Sequence, residues 1–222
     1  MHAPHVNPYS LTKLRQNLLH FGIGKIINGF LGFAILLLLA QELEVSEYAA
    51  FVLFMAITRI SISLSSLGLE SVCLVYVPHY RGNAQRHSMY SFIFSLLTLR
   101  IVMLVACLGI LLFSTEFLAQ LFNLHEWTPS LSIYLWNILF IGMSDFWQIL
   151  FGAMFLQGAA QRVWFSRNFL FCTFLFLSLW FNNTSITLYD VIYFDLLSAA
   201  GSTVIGFFEL LYVWKKENDK ET

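Results

Sequence analysis

The feature that most constrains this chain is one long apolar stretch with a guanidinium inside it. From Glu47 to Gly82 the sequence runs EYAAFVLFMAITRISISLSSLGLESVCLVYVPHYRG, acidic at its start, basic at its end and nearly uncharged between. Arg59 lies well within it, followed by Ser63, Ser66 and Glu70. Spacings of four, three and four place those side chains on one face of a helix. A guanidinium deep in an apolar membrane helix costs about 2.5–3.5 kcal/mol on insertion scales unless it faces protein or water. The stretch therefore predicts a helix whose polar stripe turns inward, with neighbouring helices that supply something to meet it.

The rest of the chain fits a lipid solvent. Of its 222 residues 58% are hydrophobic and 11% charged, against about 25% charged in an ordinary soluble domain. A net charge of −1 argues against nucleic acid as a partner. Cys73, Cys107 and Cys172 lie far apart in apolar segments and read as small buried hydrophobes. The six histidines form no pair at metal-ligand spacing, so no metal site is expected. The first 17 residues are polar and the apolar run after them is too long for a signal-peptide core, so the segment is expected to stay uncleaved.

Six spans follow, an all-α, polytopic arrangement. A cytosolic arm (1–17) precedes spans at about 18–40, 48–69, 88–113, 130–156, 163–181 and 189–214, and a charged tail occupies 215–222. Each span reaches about the 20 residues a bilayer requires. The second span carries an apolar extension to Val77 and a turn at Pro78–Gly82, and residues 114–129 read as a helix at the membrane interface. Lys13, Arg15, Arg81, Arg86, Arg162, Arg167, Lys215, Lys216 and Lys220 all fall at alternate ends of the spans, while the opposite loops hold acids such as Glu42, Glu44, Glu47 and Asp190. The positive-inside rule then puts both termini in the cytosol. Asn182-Asn183-Thr184-Ser185 matches a glycosylation sequon on an outer loop, and a chance turn explains it as well.

The charges inside the spans are Lys25, Arg59, Arg100, Asp145, Asp195 and Glu209. Most belong to stripes: Lys25, Asn28, Gly29 and Gly32 in the first span; Asn137, Ser144, Asp145 and Gln148 in the fourth; Asp195, Ser198, Ser202, Gly206 and Glu209 in the sixth. The fifth has only Arg167 and Asn168 at its inner end and reads as a packing helix. Two arrangements satisfy such stripes. In one, the arginines are neutralised within a dry bundle and Gly and Ser allow close packing. In the other, the stripes line a water-accessible cavity for a polar or anionic substrate, and four striped helices favour it. No nucleophile–base pair or phosphate loop is present, so neither enzymatic activity nor a cofactor is expected.

Further motifs carry a resemblance. Leu39-Ala40 and Leu43 precede Ser46-Glu47-Tyr48, which opens the second span; Leu67-Gly68-Leu69-Glu70-Ser71 and Tyr76-Val77-Pro78 follow, then a basic loop and a third span containing an arginine. Over residues 14–125 this resembles the N-terminal lobe of the Wzx-type polysaccharide flippases, within the multidrug/oligosaccharidyl-lipid/polysaccharide exporter superfamily. Glu44 and Ala49 stand where members often have glycine.

Members of that family have two six-helix lobes around a central cavity, and this chain matches one. The resemblance therefore implies a second lobe, either another copy or a separate chain, or else an inactive relic. It implies a polyprenyl-pyrophosphate-linked oligosaccharide as cargo, moved across the cytoplasmic (inner) membrane for surface polysaccharide synthesis. Arg59, Arg100 and Lys25 would attract pyrophosphate and sugar, with Ser63, Ser66, Asn137 and Gln148 beside them. Asp145 would be the first candidate for ion coupling, with Asp195 and Glu209 as further carboxylates. A membrane subunit that scaffolds a polysaccharide synthesis complex without transporting is the alternative.

Overall fold

A computed structural model describes the backbone of residues 11–82, 86–182 and 186–218. The start of the N-terminal arm (1–10), residues 183–185 of the sequon and the end of the tail (219–222) lie outside the described residues. The described chain is helical: α1 (Leu11–Glu42), α2 (Val45–Ser66), α3 (Leu69–Gly82), α4 (Arg86–Phe113), α5 (Thr115–Leu121), α6 (Thr128–Tyr134), α7 (Asn137–Ala153), α8 (Gln157–Asn182) and α9 (Leu188–Asn218). Among the described residues five helices are long and apolar enough to cross a membrane: α1, α2, α4, α8 and α9. The α6–α7 pair makes a sixth if counted together, bent by 42°.

Two departures from the sequence reading follow from the backbone. The second span does not run from 48 to 69 with an extension. It begins at Val45 and stops at Ser66, because Leu67 (φ 42°) and Gly68 (φ 81°) both take the left-handed conformation. Glycine occupies that region without cost, whereas leucine does not. A new helix, α3, then carries Glu70 and absorbs Pro78–Gly82, which is helix and not a turn. Glu70 accordingly does not continue the face of Arg59, Ser63 and Ser66.

The fourth span is likewise broken. Between α6 and α7 the amide of Trp136 reaches back three residues to the Ile133 carbonyl, and Ile138 and Leu139 reach Leu135 and Trp136 in the same way. This local tightening from four-residue to three-residue bonds accounts for the bend. Residues 115–121 form a helix as expected, while the interfacial placement of that segment belongs to the sequence argument alone.

Helix starts are fixed by acids at one end of the bundle. The Glu47 carboxylate accepts the Glu44 amide at 3.4 Å, and also the Leu188 amide of α9 at 3.4 Å. Thr187 and Asp190 close a reciprocal cap on α9: the Thr187 amide donates to Asp190 at 3.0 Å and the Asp190 amide to Thr187 Oγ1 at 3.4 Å. The N-termini of α2 and α9 thus share this acidic end. At the opposite end Arg81, Arg162 and Lys216 line one cavity.

The core divides in two. One apolar cluster, around Phe51, Phe54, Tyr134 and Ile192, fills the half towards the acidic end; a second, around Cys73, Met89, Trp147 and Phe151, fills the other half. Polar side chains mark the boundary on five of the helices. Arg100 stands between Leu96 and Leu104 on α4, Ser144 and Asp145 between Ile141 and Phe146 on α7, and Arg167 between Val163 and Phe171 on α8. On α2 and α9, Ser65 and Ser202 follow Ile62 and Ala199 at the same boundary.

Candidate functional site

The candidate site comprises two ionic nodes, one in that boundary layer and one that runs from it at Arg167 into the half towards the acidic end. In the first, Arg59 Nη1 of α2 donates to Asp145 Oδ2 of α7 at 2.9 Å. Both side chains are partly open, 52% and 29% exposed. An arginine whose stripe was expected to turn inward instead lies on the flank of the bundle. The inward polar face of α2 is made by Thr58, Ser61 and Ser65, one residue out of register with the expected stripe.

Arg100 is the inward cation. Its side chain is 1% exposed, and Nη1 reaches Ser65 Oγ at 3.4 Å. Its Nε and Nη2 are buried without a hydrogen-bond partner. Glu70 and Asp145 are the carboxylates near enough to act on it electrostatically. Two orphaned guanidinium donors in so apolar a setting call for water or an anionic group to satisfy them.

The second node is more enclosed, with the Arg167 and Asp195 side chains 13% and 2% exposed. Asp195 of α9 accepts Arg167 Nη2 at 2.8 Å through one oxygen and Tyr134 Oη at 2.8 Å through the other, with Asn137 Nδ2 at 3.5 Å. Tyr134 ends α6 and Asn137 begins α7, so the break in the fourth span is what brings both onto one carboxylate. Asn137 Oδ1 remains buried without a hydrogen-bond partner. The sequence reading placed Arg167 at an inner end and treated its helix as packing only. The helix in fact starts at Gln157, which carries Arg167 into the bundle. Counting depth from that earlier start is the signal that would have found it.

The other expected site residues are dispersed. Ser63 is exposed and Ser66 half-buried at the end of α2, while Gln148 is half-buried on α7. Lys25 is exposed on α1, outside the Arg59–Asp145 pair. Its neighbour in the expected stripe, Asn28, is buried against α8, where it meets Gln161 (3.5 Å) and Asn168 (3.4 Å). Glu209 is tied by both oxygens to Arg162 at the basic end, at 2.6 and 2.9 Å. The stripes of the fourth and sixth spans pack on each other: the hydroxyls of Ser144 and Ser202 meet at 3.1 Å, Thr203 donates to the Phe140 carbonyl at 2.8 Å, and Gly206 lies flat against the indole of Trp147. That seam is closed, as small residues allow, and does not line a cavity.

Among the described residues no group of three His, Cys, Asp or Glu side chains converges in a way that could hold a metal ion. The fold and its polar layer thus define a class, an all-helical chain built as a polytopic membrane protein. Compared with known protein families, characterised proteins and solved structures, the chain matches none.

Proposed function

We propose that this chain is one six-span lobe of a flippase-like exporter. In this reading it moves a polyprenyl-pyrophosphate-linked oligosaccharide across the cytoplasmic membrane, with both termini in the cytosol and a second lobe, another copy or a separate chain, facing it. The observation that carries the reading is the Arg59–Asp145 pair, which is half-open on the flank of the bundle. Lipid tails are a poor solvent for such a pair, so protein or water must cover it. A facing lobe supplies both, with a wet cleft between the two.

Arg100 extends the argument. Its buried, unpartnered donors lie one helix away from the open pair and offer a forked cation to a pyrophosphate. Asp145 is the best-placed carboxylate for ion coupling, because Asp195 and Glu209 are more enclosed in their arginine pairs. Rocking of one lobe against the other would supply alternating access.

The test is translocation of a polyprenyl-pyrophosphate-linked sugar in membrane vesicles. Arg59→Ala and Arg100→Ala are expected to stop it at normal protein level. Intact transport in both variants removes the cation role. A second reading, a non-transporting subunit that uses the same flank to bind a partner helix, draws on the dry seam between α7 and α9. It requires normal complex assembly and no translocation by the unaltered chain.

A further inference from the structure

The basic end of the bundle contains a second polar site, separate from the mid-bundle layer and independent of any transport reading. A cavity of about 400 Å³ opens there between the end of α3, the first turns of α8 and the last turns of α9. Its charged lining is three cations, Arg81, Arg162 and Lys216, against one carboxylate, Glu209. The volume falls within the range of small-ligand sites, about 300–1,000 Å³. From this convergence we propose that the cavity recognises a phosphate group.

The groups around it are arranged rather than merely close. Glu209 grips Arg162 through Nε and Nη2, which fixes the guanidinium plane and leaves Nη1 as its outer edge. That Nη1 stands 3.5 Å from the place a Cβ would take on Gly158, so the outer edge of the guanidinium lies beside the first turn of α8. Lys216 Nζ is held 5.8 Å from the centre of the Tyr212 ring, a cation–π contact that keeps the ammonium beside the opening. Arg162 Nη1, the Arg81 guanidinium and the Lys216 ammonium border one small space, and a phosphate, with three outer oxygens, can meet more than one of them. The amides of Ala159 and Ala160 are already taken by the Leu156 carbonyl at 3.0 and 3.1 Å. Those two amides are therefore not available to a ligand.

The phosphate can come from a phospholipid headgroup or from a soluble phosphate, and the experiment separates the two. The purified full-length chain in detergent is titrated with short-chain phosphatidylglycerol, short-chain phosphatidylcholine or inorganic phosphate and followed by native mass spectrometry. The account predicts retention of phosphatidylglycerol over phosphatidylcholine. Loss of two charge-assisted contacts in the Arg81→Gln/Lys216→Gln variant lowers it at least about tenfold, while Lys215→Gln, outside the lining, leaves it unchanged. Inorganic phosphate retained with the same variant pattern, and no preference between the lipids, assigns the site to a soluble phosphate. Equal retention by Arg81→Gln/Lys216→Gln and the unaltered chain overturns the proposal. So does no retention of any of the three probes.

Discussion

Arg167 and Asp195 form the most enclosed ion pair among the described residues, 2.8 Å apart with side chains 13% and 2% exposed. The pair joins α8 to α9, and through Tyr134 and Asn137 it also holds both sides of the break between α6 and α7. Removing one member of such a pair strands the other in an apolar interior, at about 3–5 kcal/mol. Arg167→Met and Asp195→Leu are each expected to lower the thermal unfolding midpoint in detergent sharply. The double variant is expected to recover most of the loss, since two apolar side chains leave no stranded charge. Additive losses would show that the pair does not interact.

Gly206 is expected to be the least replaceable glycine of α9. A Cβ there runs into the indole of Trp147, which is itself buried and cannot swing aside. Gly206→Ala should therefore destabilise by about 1–3 kcal/mol, the usual cost of overpacking. Gly29→Ala and Gly32→Ala on α1 meet nothing within 4 Å and should stay within about 0.5 kcal/mol of the unaltered chain. Chemical unfolding in mixed micelles measures all three.

Arg100 should separate stability from function. Its two unpartnered donors make it a net burden on the isolated lobe, and replacing such a buried charge by an apolar side chain of similar length is often neutral or stabilising. Arg100→Met is expected to hold or raise the unfolding midpoint while abolishing translocation. A marked loss of stability would show that the guanidinium is a structural tie.

The parts of this fold that the sequence made legible are those set by length and hydropathy. Spans near 88–113 and 189–214 correspond closely to α4 and α9, because an apolar run bounded by charges has few alternatives in lipid. The breaks were hidden. Leu135-Trp136 sits within a largely apolar run, while Leu67-Gly68 follows Ser65-Ser66 and precedes Glu70-Ser71, a small-and-polar break masked by the helical spacing of Arg59, Ser63, Ser66 and Glu70. Pro78 misled in the other direction: it lies within α3, past the middle of the helix, where it removes the amide that would bond to the Leu74 carbonyl and yet does not end the helix.

The site was legible residue by residue but not as a set. Arg59 and Asp145 were both apparent as intramembrane charges, and the structure brings them together at 2.9 Å. Spacing alone could not show that Arg59 lies on the flank and Ser65 inside, because a shift of one position turns a helix by about 100°. Ser144 and Ser202 carried the same small-and-polar signature whether they lined a cavity or a packed seam. Only the position of the neighbouring helix decided for the seam.

The central claim is that the flank carrying Arg59 faces water within the membrane rather than lipid, and thiol accessibility tests it most directly. Ser63 lies one turn beyond Arg59 on α2 and is exposed on the lobe, whereas Ser144 is buried in the α7–α9 seam. In a chain whose native cysteines are replaced by alanine, Ser63→Cys in intact membranes should react with a water-soluble maleimide, since the reactive thiolate forms only where water reaches. Phe30→Cys, on the exposed apolar side of α1, and Ser144→Cys should not react. A cysteine at position 63 as inert as one at position 30 would contradict the account and leave the Arg59–Asp145 pair buried against lipid or a dry partner helix.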